Sequence, residues 1–222
     1  VRKTLALLAA LASVSAASGF EKVASGEKGD RYVDRAARMI LDVPSGFVRV
    51  EPKKNPDVAY QFACRLAKPR FEIRVAFSPM TETPERRKER EGCEKGGTCV
   101  MADLDKPSDV WGQAVQGNLT DDSDVKFFPF PPEGVKKEFA GDWGYVSSPF
   151  EMTGKHTFND EGFKYGQMVV VHRNGAGTFY RIALGDDVEA LHELDHRLFY
   201  SARFDGAQPP GADKPDSIPP KK

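Results

Sequence analysis

Gln167-Met168-Val169-Val170-Val171-His172, followed by Arg173-Asn174-Gly175-Ala176-Gly177 and Thr178-Phe179-Tyr180-Arg181-Ile182-Ala183-Leu184, decides how this chain folds. The first run is apolar and rich in β-branched residues, which suits a strand. The second supplies the turn, because its two glycines take φ > 0 without steric cost. The third alternates, with Tyr180, Ile182 and Leu184 on one face and Arg181 on the other. Gly185-Asp186-Asp187 ends that strand and offers a helix N-cap. Leu191, Leu194, Leu198 and Ala202 then recur at helical spacing. The unit from Tyr165 to Phe204 therefore reads as a hairpin feeding an amphipathic helix laid across an antiparallel sheet. That pattern describes a scaffold and not a reaction.

Upstream, Val58, Tyr60, Phe62, Cys64 and Leu66 line one strand face, with Gln61 and Arg65 on the other. Lys68-Pro69 connects to Phe71, Ile73, Val75 and Phe77, which alternate with Glu72 and Arg74. Strict period two predicts a sheet with one buried and one wet face. Each such side chain contributes roughly 1.5–3 kcal/mol when buried. Ala37 to Val43 reads as a first strand, and Pro44-Ser45-Gly46 as the turn before a second, Phe47 to Val50. Glu21 to Asp34 is polar and Gly-punctuated, and reads as a loose segment.

The chain opens Val1-Arg2-Lys3, then holds a Leu/Ala run from Thr4 to Ala12 and small residues around Ala16 and Ala17. This order is that of a secretory signal peptide cut near Ala16 or Ala17. The apolar run is too short to span a bilayer, so no membrane span is expected. The expected location is periplasmic or extracellular. A net charge of −1 gives no electrostatic case for nucleic acid. Of three cysteines, Cys93 and Cys99 bracket a polar loop with a Gly-Gly pivot and are expected to pair in an oxidising compartment. Closing so short a loop stabilises by about 2 kcal/mol. Cys64 falls on an apolar strand face and reads as a buried free thiol. Buried there, it is a poor nucleophile beside either His172 or His156.

In the middle of the chain, Glu82 to Gly97 is charge-dense and reads as a solvated helix or loop. Ser108 is placed to cap a short helix carrying Trp111. Asp121-Asp122-Ser123-Asp124 lacks the spacing and glycine of an EF-hand and reads as a turn. Phe127-Phe128-Pro129-Phe130-Pro131-Pro132 is broken by proline and excluded from a central strand. Its aromatics either cover a sheet edge or line a ligand groove built from Phe128, Phe130 and Trp143. From Asp205 onward, Gly, Pro, Asp and Lys leave nothing to bury.

His192-Glu193-Leu194-Asp195-His196 is a literal H-E-x-x-H on the expected helix. Two histidines at i and i+4 can share one Zn²⁺, with the glutamate activating water. A zinc hydrolase also needs a third ligand, and only Asp205, Asp213 and Asp216 follow His196 as carboxylates. At about 100° per residue, His192 and His196 lie on the flank of the leucine stripe and Glu193 nearly opposite it. Asp195 falls close to the stripe, where an unpaired carboxylate is costly. It is expected to find an arginine or a backbone N–H, or to sit at the wet edge.

Val43-Pro44-Ser45-Gly46-Phe47 is similar to the P-x-G-[FW] turn of PsbP/DcrB-type extracytoplasmic proteins. The closing unit resembles that family's last hairpin and helix, including Leu198-Phe199-Tyr200-Ser201-Ala202-Arg203-Phe204, where a Ser-x-x-Phe-like sequence returns to the sheet. The middle, from Pro79 to Thr157, departs from the pattern and resembles an insertion. The resemblance implies an α+β fold, a central antiparallel sheet packed by helices in an α-β-α sandwich. It also implies a non-catalytic accessory or binding role, with no catalytic residues to transfer.

The expected organisation is a signal peptide over 1–17, a flexible mature N-terminus over 18–36, and a single α+β domain over 37–204. An insertion occupies about 79–157, and a disordered Pro-rich tail 205–222. The expected function is a secreted or periplasmic binding or accessory protein without cofactor, its partner an unknown protein or small ligand of the cell envelope. The alternative is a Zn-dependent hydrolase using His192, Glu193 and His196.

Overall fold

The computed structural model describes residues 19–56, 58–79, 116–153 and 157–208. The leader, Cys93 and Cys99 with their expected disulfide, Trp111 with its expected helix, His156, and the tail from 209 lie outside those residues. Among the described residues there are two antiparallel sheets and two α-helices.

The smaller sheet takes β1 (Glu21–Gly26), β2 (Gly29–Asp34) and β3 (Met39–Pro44), and is completed by the last strand, β12 (Ala202–Phe204), in the order β1-β2-β3-β12. The larger sheet contains β4 (Val48–Val50), β5 (Phe62–Leu66), β6 (Phe71–Pro79), β7 (Phe127–Pro129), β8 (Trp143–Ser147), β9 (Phe150–Glu151), β10 (Tyr165–Arg173) and β11 (Gly177–Gly185). Its order is β4-β5-β6-β11-β10-β8-β7, with β9 paired to β10. Helix α1 (Pro132–Gly134) runs into a π-helical turn, Val135–Phe139, and α2 is Val188–Arg197.

The β10–β11 hairpin forms as its residues require. The ladder runs from Tyr165↔Gly185 to Arg173↔Gly177. Gly175 has φ 72° and Gly177 φ 144°. A Cβ at Gly177 would lie 2.3 Å from the Ser78 carbonyl oxygen on neighbouring β6, so the turn and the sheet both demand glycine there. Asp187 caps α2, its Oδ1 accepting from the Ala190 N–H at 2.8 Å, a contact worth about 1 kcal/mol.

The molecule is mainly β, which corrects the expected α-β-α sandwich. Among the described residues, no layer of helices covers each face of the larger sheet. One face packs on the smaller sheet together with α2, through Tyr32, Met39, Leu41, Phe62, Ile73, Val75, Val171, Phe179, Leu191 and Phe204. The other is covered by irregular segments bearing Leu119, Phe150, Met152, Phe158 and Phe163, packed on Ala63, Ala76, Met168, Val170, Tyr180 and Ile182. Both faces are therefore dry, where period two predicted one wet face. Glu72 and Arg74, read as solvent-facing, are each 1% exposed.

Other segments also differ from expectation. Residues 21–34 form the β1–β2 hairpin, although every residue of β1 is exposed. Strand β3 begins at Met39; Ala37 lies in the preceding turn, its N–H held by Asp34 Oδ1 at 2.9 Å. Within the expected insertion, β7 and β8 extend the larger sheet, and β7 is its edge, the place where Pro129 is tolerated. Helix α2 ends at Arg197, so Ala202 belongs to β12 and not to the helical stripe. The first tail residues are tied down: Arg173 Nη1 donates to Asp205 Oδ1 at 2.6 Å, and the Gln208 N–H to the Lys137 carbonyl at 2.7 Å.

Candidate functional site

Helix α2 carries the one catalytic-looking motif, and its burial pattern inverts what a zinc helix needs. Leu191 and Asp195 are buried, while His192, Glu193 and His196 are exposed. Asp195 points at the sheet, where Arg181 Nη1 donates to its Oδ1 at 2.6 Å. The variable position of the H-E-x-x-H sequence is thus the structural one. Among the described residues, no group of three His, Cys, Asp or Glu side chains is placed to hold a metal ion.

The aromatic residues expected to line a groove are not brought together. Phe128 stands 51% exposed on the edge strand β7. Phe130 turns toward the α2 face, stacks on Phe139 at 5.6 Å and meets Phe199 edge-on at 5.4 Å. Phe139 also touches Tyr200, so the chain's own rings fill the space beside Phe130. Burial, with a hydrogen bond to Glu138, pushes the Tyr200 hydroxyl up to about 12. Trp143 is buried on the opposite face, stacked on His172 at 4.7 Å and tilted against Tyr145.

Cys64 is a free, buried thiol. Burial pushes its pKa up to about 12, so at neutral pH it is not a thiolate nucleophile. It lies in the core on the α2 face, whereas His172 stacks within the other.

Sequence reading missed a charged cluster on the loop-covered face. Arg74 donates through Nε to Glu72 Oε1 at 2.6 Å, through Nη1 to the Phe158 carbonyl, and through Nη2 to Asp160 Oδ1 at 3.3 Å. Its guanidinium also lies against the rings of Tyr60 and Phe158. Around it, Arg65 Nε donates to Glu72 Oε2, and Lys53 Nζ binds both Asp160 and Glu161 at 2.7 Å. Hydrogen bonds from Lys53 and Arg65 hold the Glu161 carboxyl down at about 2. The signal available in the sequence was Glu72 and Arg74 on one strand face, with a matching Asp160-Glu161 pair far along the chain. Every acid in this cluster is matched by a base, and the arrangement clamps the 157–164 segment to the sheet.

No family model matches the chain, and no curated protein matches it. Among solved structures, the chain is similar to the solution structure of cyanobacterial PsbP (CyanoP) from Synechocystis sp. PCC 6803. The identity is 12% and the TM-score 0.39, over 86% of this chain and 95% of that one. Among the described residues, no helix is long and apolar enough to cross a membrane.

Proposed function

We propose that this chain is an extracytoplasmic, non-catalytic binding or accessory protein, and that it grips its partner at the open edge of β7. The leader-like sequence of residues 1–17 supports the location. The observation that carries the binding surface is Phe128. It is the exposed aromatic among the large hydrophobic side chains of the described residues, and it stands on a strand that, among those residues, pairs with β8 alone. Pro129 removes a backbone donor from that edge, so the ring supplies the contact more than a ladder of hydrogen bonds does. Aromatic rings bury large apolar areas at low entropy cost, which makes them effective anchors.

A photo-cross-linking residue placed at position 128 in cells tests this reading. A discrete adduct is expected from position 128 and not from position 23, the exposed valine of β1. Phe128→Ser should abolish copurification of the same partner. Equal adducts from both positions, or none from 128, would defeat the proposal.

A further inference from the structure

Two side chains of α2 have no role in the packing. His192 and His196 are both exposed, and neither makes a hydrogen bond, an ion pair or a ring contact with a described residue. They are one helical turn apart, which sets their Cβ atoms about 6 Å from each other on one side of the helix. The backbone that carries them is fixed. Asp187 caps its start, Leu191 is fully buried between the turns, and Asp195, beside His196, is locked to Arg181. Two free imidazoles on a rigid turn can act as a bidentate ligand, because the backbone between them need not reorganise and only their side-chain rotamers are fixed when both nitrogens meet one ion.

We propose that His192 and His196 form a surface clamp for a divalent transition cation. Neutral imidazole suits Cu²⁺, Ni²⁺ and Zn²⁺ and not the hard cations Ca²⁺ and Mg²⁺, and the usual affinity order places Cu²⁺ first. With two protein donors the ion keeps water, or a donor from another molecule, in its remaining positions. This clamp differs from the zinc centre of a hydrolase, which needs a third protein ligand. It stands independently of the β7 edge, since α2 and β7 contribute different residues.

The test titrates the full chain with Cu²⁺, and separately with Zn²⁺, by calorimetry against a weak competing chelator, with electron paramagnetic resonance on the Cu²⁺ sample. One saturable site per chain is expected, with a Cu²⁺ spectrum showing nitrogen ligation and tighter binding of Cu²⁺ than of Zn²⁺. His192→Ala and His196→Ala should each weaken binding about tenfold or more, and Glu193→Gln should leave it unchanged. Both alanine variants keep a good helix former at an exposed position, so they should fold as the parent does. Circular dichroism checks this. Absence of a saturable site overturns the proposal. So does a site that survives in the double alanine variant, which would place the ion elsewhere on the chain.

Discussion

Among the described residues, two arginines lie fully inside the protein, one on each face of the larger sheet, and they are held very differently. Arg74, on the loop-covered face, has a partner for all three of its nitrogens and aromatic rings on its guanidinium. Arg181, beneath α2, spends Nη1 on Asp195 and has the Phe199 ring 5.9 Å from its guanidinium, while Nε and Nη2 have no hydrogen-bond partner. Burying a charge is costly unless neutralised, and each unpaired donor adds to the cost. The loop face thus distributes one charge over several acceptors, and the helix face rests its charge on a single carboxylate. Redundancy on one side and dependence on the other should show when partners are removed.

The largest effect is expected from Asp195→Ala, which leaves Arg181 charged, dry and without a counter-ion. A loss of about 3–5 kcal/mol is expected from urea unfolding. Glu72→Ala should cost less, about 2 kcal/mol, because Arg74 keeps the Phe158 carbonyl and Asp160. Equal losses for the two variants would erase the proposed difference between the faces. Replacing the whole helix-face pair, with Arg181→Met and Asp195→Leu together, should return stability to within about 1 kcal/mol of the parent or above it. A double variant as unstable as Asp195→Ala would mean that the ion pair has no apolar substitute.

The smallest effect is the pH dependence that Glu161 contributes on the loop face. Glu161 is held at about 2 in the folded chain, below its ordinary value of 4.5, by hydrogen bonds from Lys53 and Arg65. As pH falls, the unfolded chain takes up this proton first. The stabilisation is therefore complete above about 4.5 and is lost as pH falls toward about 2. Glu161→Gln should flatten the fall in unfolding midpoint across that window. An unchanged slope would assign the acid sensitivity to other groups.

Much of the β10–β11–α2 unit was legible because its signals are local. Val169-Val170-Val171, Gly175, Gly177 and Asp187 each fix their own backbone. The need of Asp195 for a partner followed from its place near the leucine stripe, and the partner is Arg181. The second dry face was not legible, since the segments around Leu119, Phe158 and Phe163 carry no periodic pattern. Glu72 and Arg74 looked wet because the segment that supplies Arg74 with Asp160 and the Phe158 carbonyl lies far along the chain. The β1–β2 hairpin escaped notice because its first strand is exposed along its whole length and alternation has nothing to report. At the aromatic segment, composition gave the rings but not the faces to which Phe130 and Trp143 turn.

Strand β12 has a consequence for how the molecule is made. Met39 pairs with Phe204, so the sheet begun by the earliest described residues receives its fourth strand from nearly the last. Strand β6 likewise waits for β11 before it has a neighbour on that side. Pairing between such distant segments is slow, and a chain emerging from the ribosome cannot complete the smaller sheet before Phe204, nor give β6 its second neighbour before β11, has been made. Until then the polypeptide remains open and threadable.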